Sequence, residues 1–255
     1  MQKILITNDD GIQSDGIIRL ARVAKKYGEV WVVAPDGQRS AMSHRITLRE
    51  TIEFFPVDFP VEGVHAYAMR VDKVQDFPVP VKAAYKVDGT PADCLKIAMQ
   101  YLLEEKPDYV FSGINYGYNS GTDIQYSATV GSALEAACAG VHAVAFSEGA
   151  SECHEVTDAY LERMMEELME QPLAYNQIWN VNFPQCELEK LRGILYDRKI
   201  ADCGFFIDEY LEEELENGRI RLTVHGNYNE NAPEGTDFRA LVDGYISVGK
   251  VNNLR

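Results

Sequence analysis

"KILITNDDGIQSDGIIRLARVAKKYGEVWVVAP", residues 3–35, places an amphipathic stretch between two apolar runs. Ile4 to Ile6 reads as a buried strand, and Ile17, Leu20, Ala21 and Ala24 then recur at helical spacing before Gly28, which is expected to stop the helix. Glu29 to Ala34, "EVWVVA", is a second continuous apolar run. Strand, helix and strand within about 30 residues make a βαβ unit, whose strands are parallel and buried on both faces.

The alternation returns downstream. A helix is expected at about 92–105, a strand at "DYVFS", a helix at about 128–139, a strand at "HAVAFS", a helix at about 157–170 and a strand at "IWNVNF". The fold class is therefore α/β, a doubly wound and mostly parallel sheet. Two stretches depart from it. Residues 46–86 are β-rich with Pro56, Pro60, Pro78 and Pro80, which suggests hairpins or an inserted flap. After about Arg192 the chain again reads as strands and loops, with Phe205, Phe206, Ile220, Leu222 and Val224 as candidates for burial, and this end is expected to pack on a neighbouring subunit. We divide the chain into a core at 1–190, including the insertion, and a C-terminal extension at 191–255.

Bulk composition narrows the function. With 46% hydrophobic and 25% charged residues this is an ordinary globular chain, and no apolar run approaches the roughly 18 residues of a membrane span. Met1 leads within two residues into the first strand pattern, so a cytoplasmic protein is expected. Five cysteines, widely spaced and without a C-x-x-C pair, argue against a disulfide framework or a thiolate zinc site and are expected mostly as small buried hydrophobes. A formal net charge of −16 disfavours stable nucleic-acid binding. Part of that excess is "DEYLEEELENG", 208–218, expected as a solvated helix or loop face.

Ligands collect at the carboxyl ends of parallel strands, and three polar loops fall at such ends. They are Asn8-Asp9-Asp10-Gly11, "PDGQRSAMS" from Pro35 to Ser43, and "GINYGYNSGTDIQYSATVGS" from Gly113 to Ser132. If the strands are neighbours, Asp9, Asp10, Ser40 and Asn115 converge with oxygen donors only. Two adjacent carboxylates repel unless a cation compensates, and oxygen ligation suits Mg²⁺, Mn²⁺ or Ca²⁺ rather than zinc. A helix cap or a turn residue is the plain alternative for "NDDG". The third loop is rich in glycine, asparagine and hydroxyl residues and opens a helix, an arrangement that attracts phosphate, although such a loop is also an ordinary connection. It matches neither a Walker A sequence nor G-x-G-x-x-G.

Six ordered blocks resemble the SurE-type survival proteins, a family of metal-dependent nucleoside monophosphate phosphatases: "ILITNDDGI", "VVAPDGQRSAMSHRITL", "VDGTPADCL", "SGINYGYNSGTDIQYSATVGSALEA", "NVNFP" and "GTDFRALVDGYISV". The resemblance implies a Rossmann-like core with a projecting β-rich C-terminal part, homodimers or homotetramers, and one divalent cation (Mg²⁺ or Mn²⁺) per subunit held by Asp9, Asp10, Ser40 and Asn115. It also implies phosphate contacts from Ser127 and Thr129, with Asn119 in the same block. The expected reaction is hydrolysis of nucleoside 5′- or 3′-monophosphates by a metal-activated water. Asp9 or Asp10 would take up its proton, without a covalent intermediate, since the D-x-D pattern is missing. Two departures stand out: Ala41 and Ala128 where the family carries glycine, each adding a methyl that crowds the backbone or resists a positive φ. His44 is weighed as a leaving-group acid against an ordinary hydrogen-bonding role, and Arg39 as a phosphate partner against surface solvation.

The alternatives are a metal- or nucleotide-binding protein with little activity, a phosphoacceptor receiver module and a zinc-dependent de-N-acetylase. A receiver should end its third parallel strand on Asp, whereas "DYVFSGIN" offers Ser and Asn; the de-N-acetylase needs a histidine before its aspartate pair, and residues 1–8 contain none.

Overall fold

The computed structural model describes residues 1–72, 89–229 and 231–254. Pro78, Pro80 and the start of "VDGTPADCL" lie outside the described residues. The opening unit forms β1 (Gln2–Thr7), α1 (Asp15–Ala24) and β2 (Gly28–Pro35), with β1 and β2 parallel. One detail differs from expectation. Lys25 caps α1 at its C-terminus, and Gly28 instead opens β2, where an added Cβ would collide with the carbonyl of Gln2 on the neighbouring strand.

Next come β3 (Thr51–Pro56) and β4 (His65–Asp72), an antiparallel pair whose second strand runs parallel to β2. The described part of the β-rich insertion is thus an edge of the main sheet. Pro56 ends β3 at that edge, where a missing N–H is tolerated. α2 (Pro91–Ile97) is shorter than its pattern; it continues as one π-helical turn, Ala98–Leu102, before Leu103 becomes extended. Its start is well specified: Thr90 and Asp93 form a reciprocal capping box and Pro91 takes the first turn.

β5 (Tyr109–Tyr116) runs further than "DYVFS", so Asn115 stands on the strand's last turn of pleat and not within a free loop. α3 (Ala128–Cys138), β6 (His142–Glu148), α4 (Glu155–Glu170) and β7 (Gln177–Phe183) follow as the alternation predicts. β8 (Ile194–Arg198) and β11 (Ile246–Asn252) also enter the main sheet, whose order is β3-β4-β2-β1-β5-β6-β7-β11-β8. α5 (Asp237–Val242) precedes β11. β9 (Phe206–Leu215) and β10 (Arg219–Tyr228) pair only with each other, so "DEYLEEELENG" is strand and turn rather than helix, with its side chains solvated as expected except at the half-buried Leu215.

Burial on both sheet faces follows from the continuous apolar runs. Ile4 and Ile6 of β1 pack with Ile17, Leu20 and Ala21 of α1 and with Met164 and Met165 of α4. Leu5, between them, points the other way into a second cluster with Leu95 of α2 and Val130 and Ala133 of α3. Alternate residues of one strand therefore glue helices to opposite faces. Only Cys94 of the five cysteines is buried, and all five are free. Among the described residues no helix is long and apolar enough to cross a membrane.

Candidate metal and phosphate site

β2, β1 and β5 are neighbours and parallel, so the segments that leave their carboxyl ends meet at one edge. Asn8 builds the first of them. Its Oδ1 accepts the N–H of Gly11 at 3.2 Å, and its Nδ2 donates to Gly11 O at 3.1 Å and to Ser14 Oγ at 2.7 Å. Gly11 turns the chain at φ 99°, a conformation that suits glycine. Neither aspartate caps α1: the N-cap is Ser14, whose side chain makes no cap bond. The pair is left facing the site.

Asp9 is 4% exposed, and its Oδ1 accepts the hydroxyl of Thr129, from α3, at 2.6 Å. Its carbonyl accepts the N–H of Arg39 at 2.6 Å, which draws in the second segment beside Ser40. Asp10 is half-buried, and its Oδ2 accepts the N–H of Tyr116 at 3.0 Å, which draws in the third beside Asn115. Burial pushes the Asp9 carboxyl up to about 7, against the Thr129 hydrogen bond, and the charge of Asp10 adds to the rise. Burial likewise raises Asp10, against the Tyr116 amide. What opposes burial is the Thr129 hydroxyl and main-chain N–H at Asp9 and the Tyr116 N–H at Asp10. Among the described residues no group of three or more His, Cys, Asp or Glu side chains could hold a metal ion. Two adjacent carboxylates raised by burial, one of them bonded to a hydroxyl, fit a hard divalent cation and do not fit a zinc site.

Ser40 is exposed, and its Oγ accepts from Gln38 Nε2 at 3.0 Å. The next residue, Ala41, has φ 58°, the left-handed region that glycine adopts freely. Ala128 has no such conflict: it is fully buried in the first turn of α3. Asn115 donates from Nδ2 to Gly117 O at 2.8 Å. Ser127 is the N-cap of α3, accepting the N–H of Val130 at 3.0 Å, so the helix N-terminus opens toward Asp9 through Thr129 two residues on. His44 is tied to Glu135 of α3, Nε2 to Oε2 2.8 Å, and Lys96 reaches the same carboxylate at 3.2 Å. That places His44 in a hydrogen-bonding role. The Arg39 side chain is 13% exposed and bonded to Asp36 and to Gln38 O, so it is not a solvated surface group.

Asn119 is buried and held locally. Its N–H donates to Asn182 Oδ1 at 2.8 Å, its Nδ2 donates to Ser147 Oγ at 2.8 Å, and its carbonyl accepts from Asn180 at 2.9 Å and Asn182 at 3.0 Å. Sequence reasoning overlooked Asn180 and Asn182, although two amides inside the apolar strand "IWNVNF" signal buried polar groups that require partners. It also overlooked Asp237, which accepts the N–H of Gly121 at 3.0 Å and of Ala201 at 2.9 Å and so anchors the loop after β5 to the C-terminal region.

Fold and site define a class: an α/β protein of Rossmann-like topology with adjacent carboxylates, one of them bonded to the first turn of a helix, at the carboxyl edge of its parallel strands. Comparison with known proteins carries this further. The model of the family described as Survival protein SurE matches residues 4–202, and the chain belongs to that family. The protein named 5'-nucleotidase SurE from Clostridium botulinum is 36% identical over 251 residues, 96% of this chain and 90% of that protein. Its namesake from Thermosipho melanesiensis is 36% identical over 253 residues, 98% and 91% of the two chains. The crystal structure of the SurE protein from Aquifex aeolicus superposes with a TM-score of 0.78 at 29% identity, covering 99% of this chain and 94% of that one.

Proposed function

We propose that the protein is a metal-dependent nucleotidase, a phosphomonoesterase that releases inorganic phosphate from nucleoside 5′- or 3′-monophosphates. The observation that carries this reading is the buried Asp9 carboxylate, raised toward neutrality by desolvation and set against the opening turn of α3. The relatives' name, 5'-nucleotidase SurE, supports it independently.

One divalent cation, Mg²⁺ or Mn²⁺, is assigned to Asp9, Asp10, Ser40 and Asn115. When bound, it supplies charge neutralisation at the phosphate and acidifies the water that attacks phosphorus. The chain's own groups do the rest. The first turn of α3, with the Ser127 hydroxyl at its cap, receives the anionic phosphate oxygens through helix N–H groups. Thr129 contributes its place in that turn, while its hydroxyl holds Asp9 in orientation. Asn119, buried in its asparagine knot, shapes the loop behind the phosphate. Asp10 is the more open carboxylate and is assigned the water's proton. Attack by water leaves no covalent intermediate. Cytoplasmic residence and assembly into homodimers or homotetramers belong to the same reading, the latter supported by the exposed apolar side chains of the β9–β10 hairpin.

A second reading, a metal- and nucleotide-binding protein with little turnover, draws on one observation: Ala41 occupies a left-handed conformation beside Ser40. Phosphate release from a panel of nucleoside monophosphates, with Mg²⁺, Mn²⁺ or chelator, separates the two. Metal-stimulated release supports the nucleotidase; binding without release under any metal supports the second reading.

A further inference from the structure

A buried ion pair lies next to this site. Arg19, in the second turn of α1, reaches Glu148, the last residue of β6: one guanidinium nitrogen is 2.8 Å from Oε2 and the other 3.1 Å from Oε1. The two side chains are 10% and 5% exposed. His154 Nδ1 stands 3.1 Å from Glu148 Oε1, and Arg19 Nε lies 3.3 Å from Asp158 and 3.4 Å from Asp15. As stabilisation alone such a pair is poor value, because desolvating two ions offsets most of their attraction.

Its position suggests another use. The β5–β6 ladder is irregular between Ser112 and Asn115, then resumes with Asn115 opposite Ser147 and Tyr116 opposite Glu148. Beyond such an irregularity the upstream ladder no longer dictates register. Yet this short resumed segment carries two groups of the site. Glu148 O accepts the N–H of Gly117 at 2.9 Å, Gly117 O accepts from Asn115 Nδ2, and the Tyr116 N–H donates to Asp10. Asp10 itself lies on the loop that leads into α1, the helix that carries Arg19. Both ends of the clamp therefore hold ligand-bearing segments.

We propose that Arg19 and Glu148 are a positioning pair for the metal centre, clamping the end of β6 to α1 and so fixing the register that brings Asn115 and Asp10 together. Neither residue touches metal or substrate. This inference rests on the metal reading above.

The test is Mn²⁺ binding to the full chain, followed by electron paramagnetic resonance, beside metal-free melting curves and kcat and KM for a nucleoside monophosphate. Arg19→Met with Glu148→Leu replaces the pair by apolar groups and leaves no buried charge, so the fold is retained. Glu148→Gln keeps size and one of the two acceptor oxygens but not the ion pair. The expected result is an unchanged metal-free melting temperature in the double variant, with a Kd for Mn²⁺ raised about tenfold or more, and an intermediate Kd in Glu148→Gln. A Kd within about twofold of wild type in both variants would overturn the proposal, whatever their melting temperatures, and make the pair purely structural. Wild type that fails to bind Mn²⁺, or Asp9→Asn that binds it as tightly as wild type, would overturn the metal reading and this inference with it.

Discussion

Asp9 shows how one side chain links burial to chemistry. Its folded-state value of about 7 lies far above the ordinary 3.8, so in the metal-free protein the folded state holds this proton more tightly than the unfolded state does. Stability from this group is complete below about pH 4 and is lost as pH rises toward 7, by on the order of 4 kcal/mol between the two protonation states. Metal-free Asp9→Asn should escape that loss and melt above wild type at pH 8, although the two converge near pH 4; thermal melts across that range in chelator check it. Ala41 makes the opposite kind of statement. At φ 58° a methyl side chain costs about 1–2 kcal/mol, of which glycine's extra chain entropy cancels about 0.5–1, so Ala41→Gly should gain roughly 0.5–1 kcal/mol in denaturant unfolding. The adjacent aspartates were legible in the sequence because two like charges at the end of an apolar strand demand a reason. The Asp9–Thr129 hydrogen bond was not, since it joins residues 120 positions apart.

Among the elements, the β1-α1-β2 unit was readable because its apolar spacing switches from a continuous run to helical and back. The end of α1 was misplaced for a physical reason: glycine stops helices at positive φ, but it also serves where two backbones approach, and the sequence alone does not separate those uses. The asparagine knot joins three elements through amides that carry no local period. Asn182→Leu would leave the N–H of Asn119 without its acceptor in the interior, and should cost about 2–3 kcal/mol by denaturant unfolding. Ser127→Ala removes the cap of α3, a loss of about 1 kcal/mol, and should raise KM for nucleoside monophosphates if that turn receives the phosphate.

Across the protein, the doubly wound core followed from the alternation of strands and helices, whereas the entry of β8 and β11 into the same sheet did not, because the β9–β10 hairpin and α5 intervene in sequence. Phe206, Ile220, Leu222 and Val224, expected as candidates for burial, are exposed in the single chain because that hairpin pairs only with itself, and Phe205 is half-buried. Phe206, Tyr210, Leu222, Val224 and Tyr228 share one face of it by strand alternation, and Val224 is 64% exposed in the single chain. If this face is the subunit contact, Leu222→Glu with Val224→Glu should shift the protein to smaller species in sedimentation velocity without altering the core's far-ultraviolet signature. The net charge of −16 makes a positively charged mediator the natural partner of a phosphorylated substrate. The most direct measurement is therefore phosphate release from nucleoside monophosphates by wild type and Asp9→Asn, each with Mg²⁺ or Mn²⁺ and with chelator. Metal-stimulated release by wild type, abolished by chelator and by the substitution, is expected of a metal-dependent nucleotidase; equal release with and without metal, or full activity in Asp9→Asn, would contradict that function.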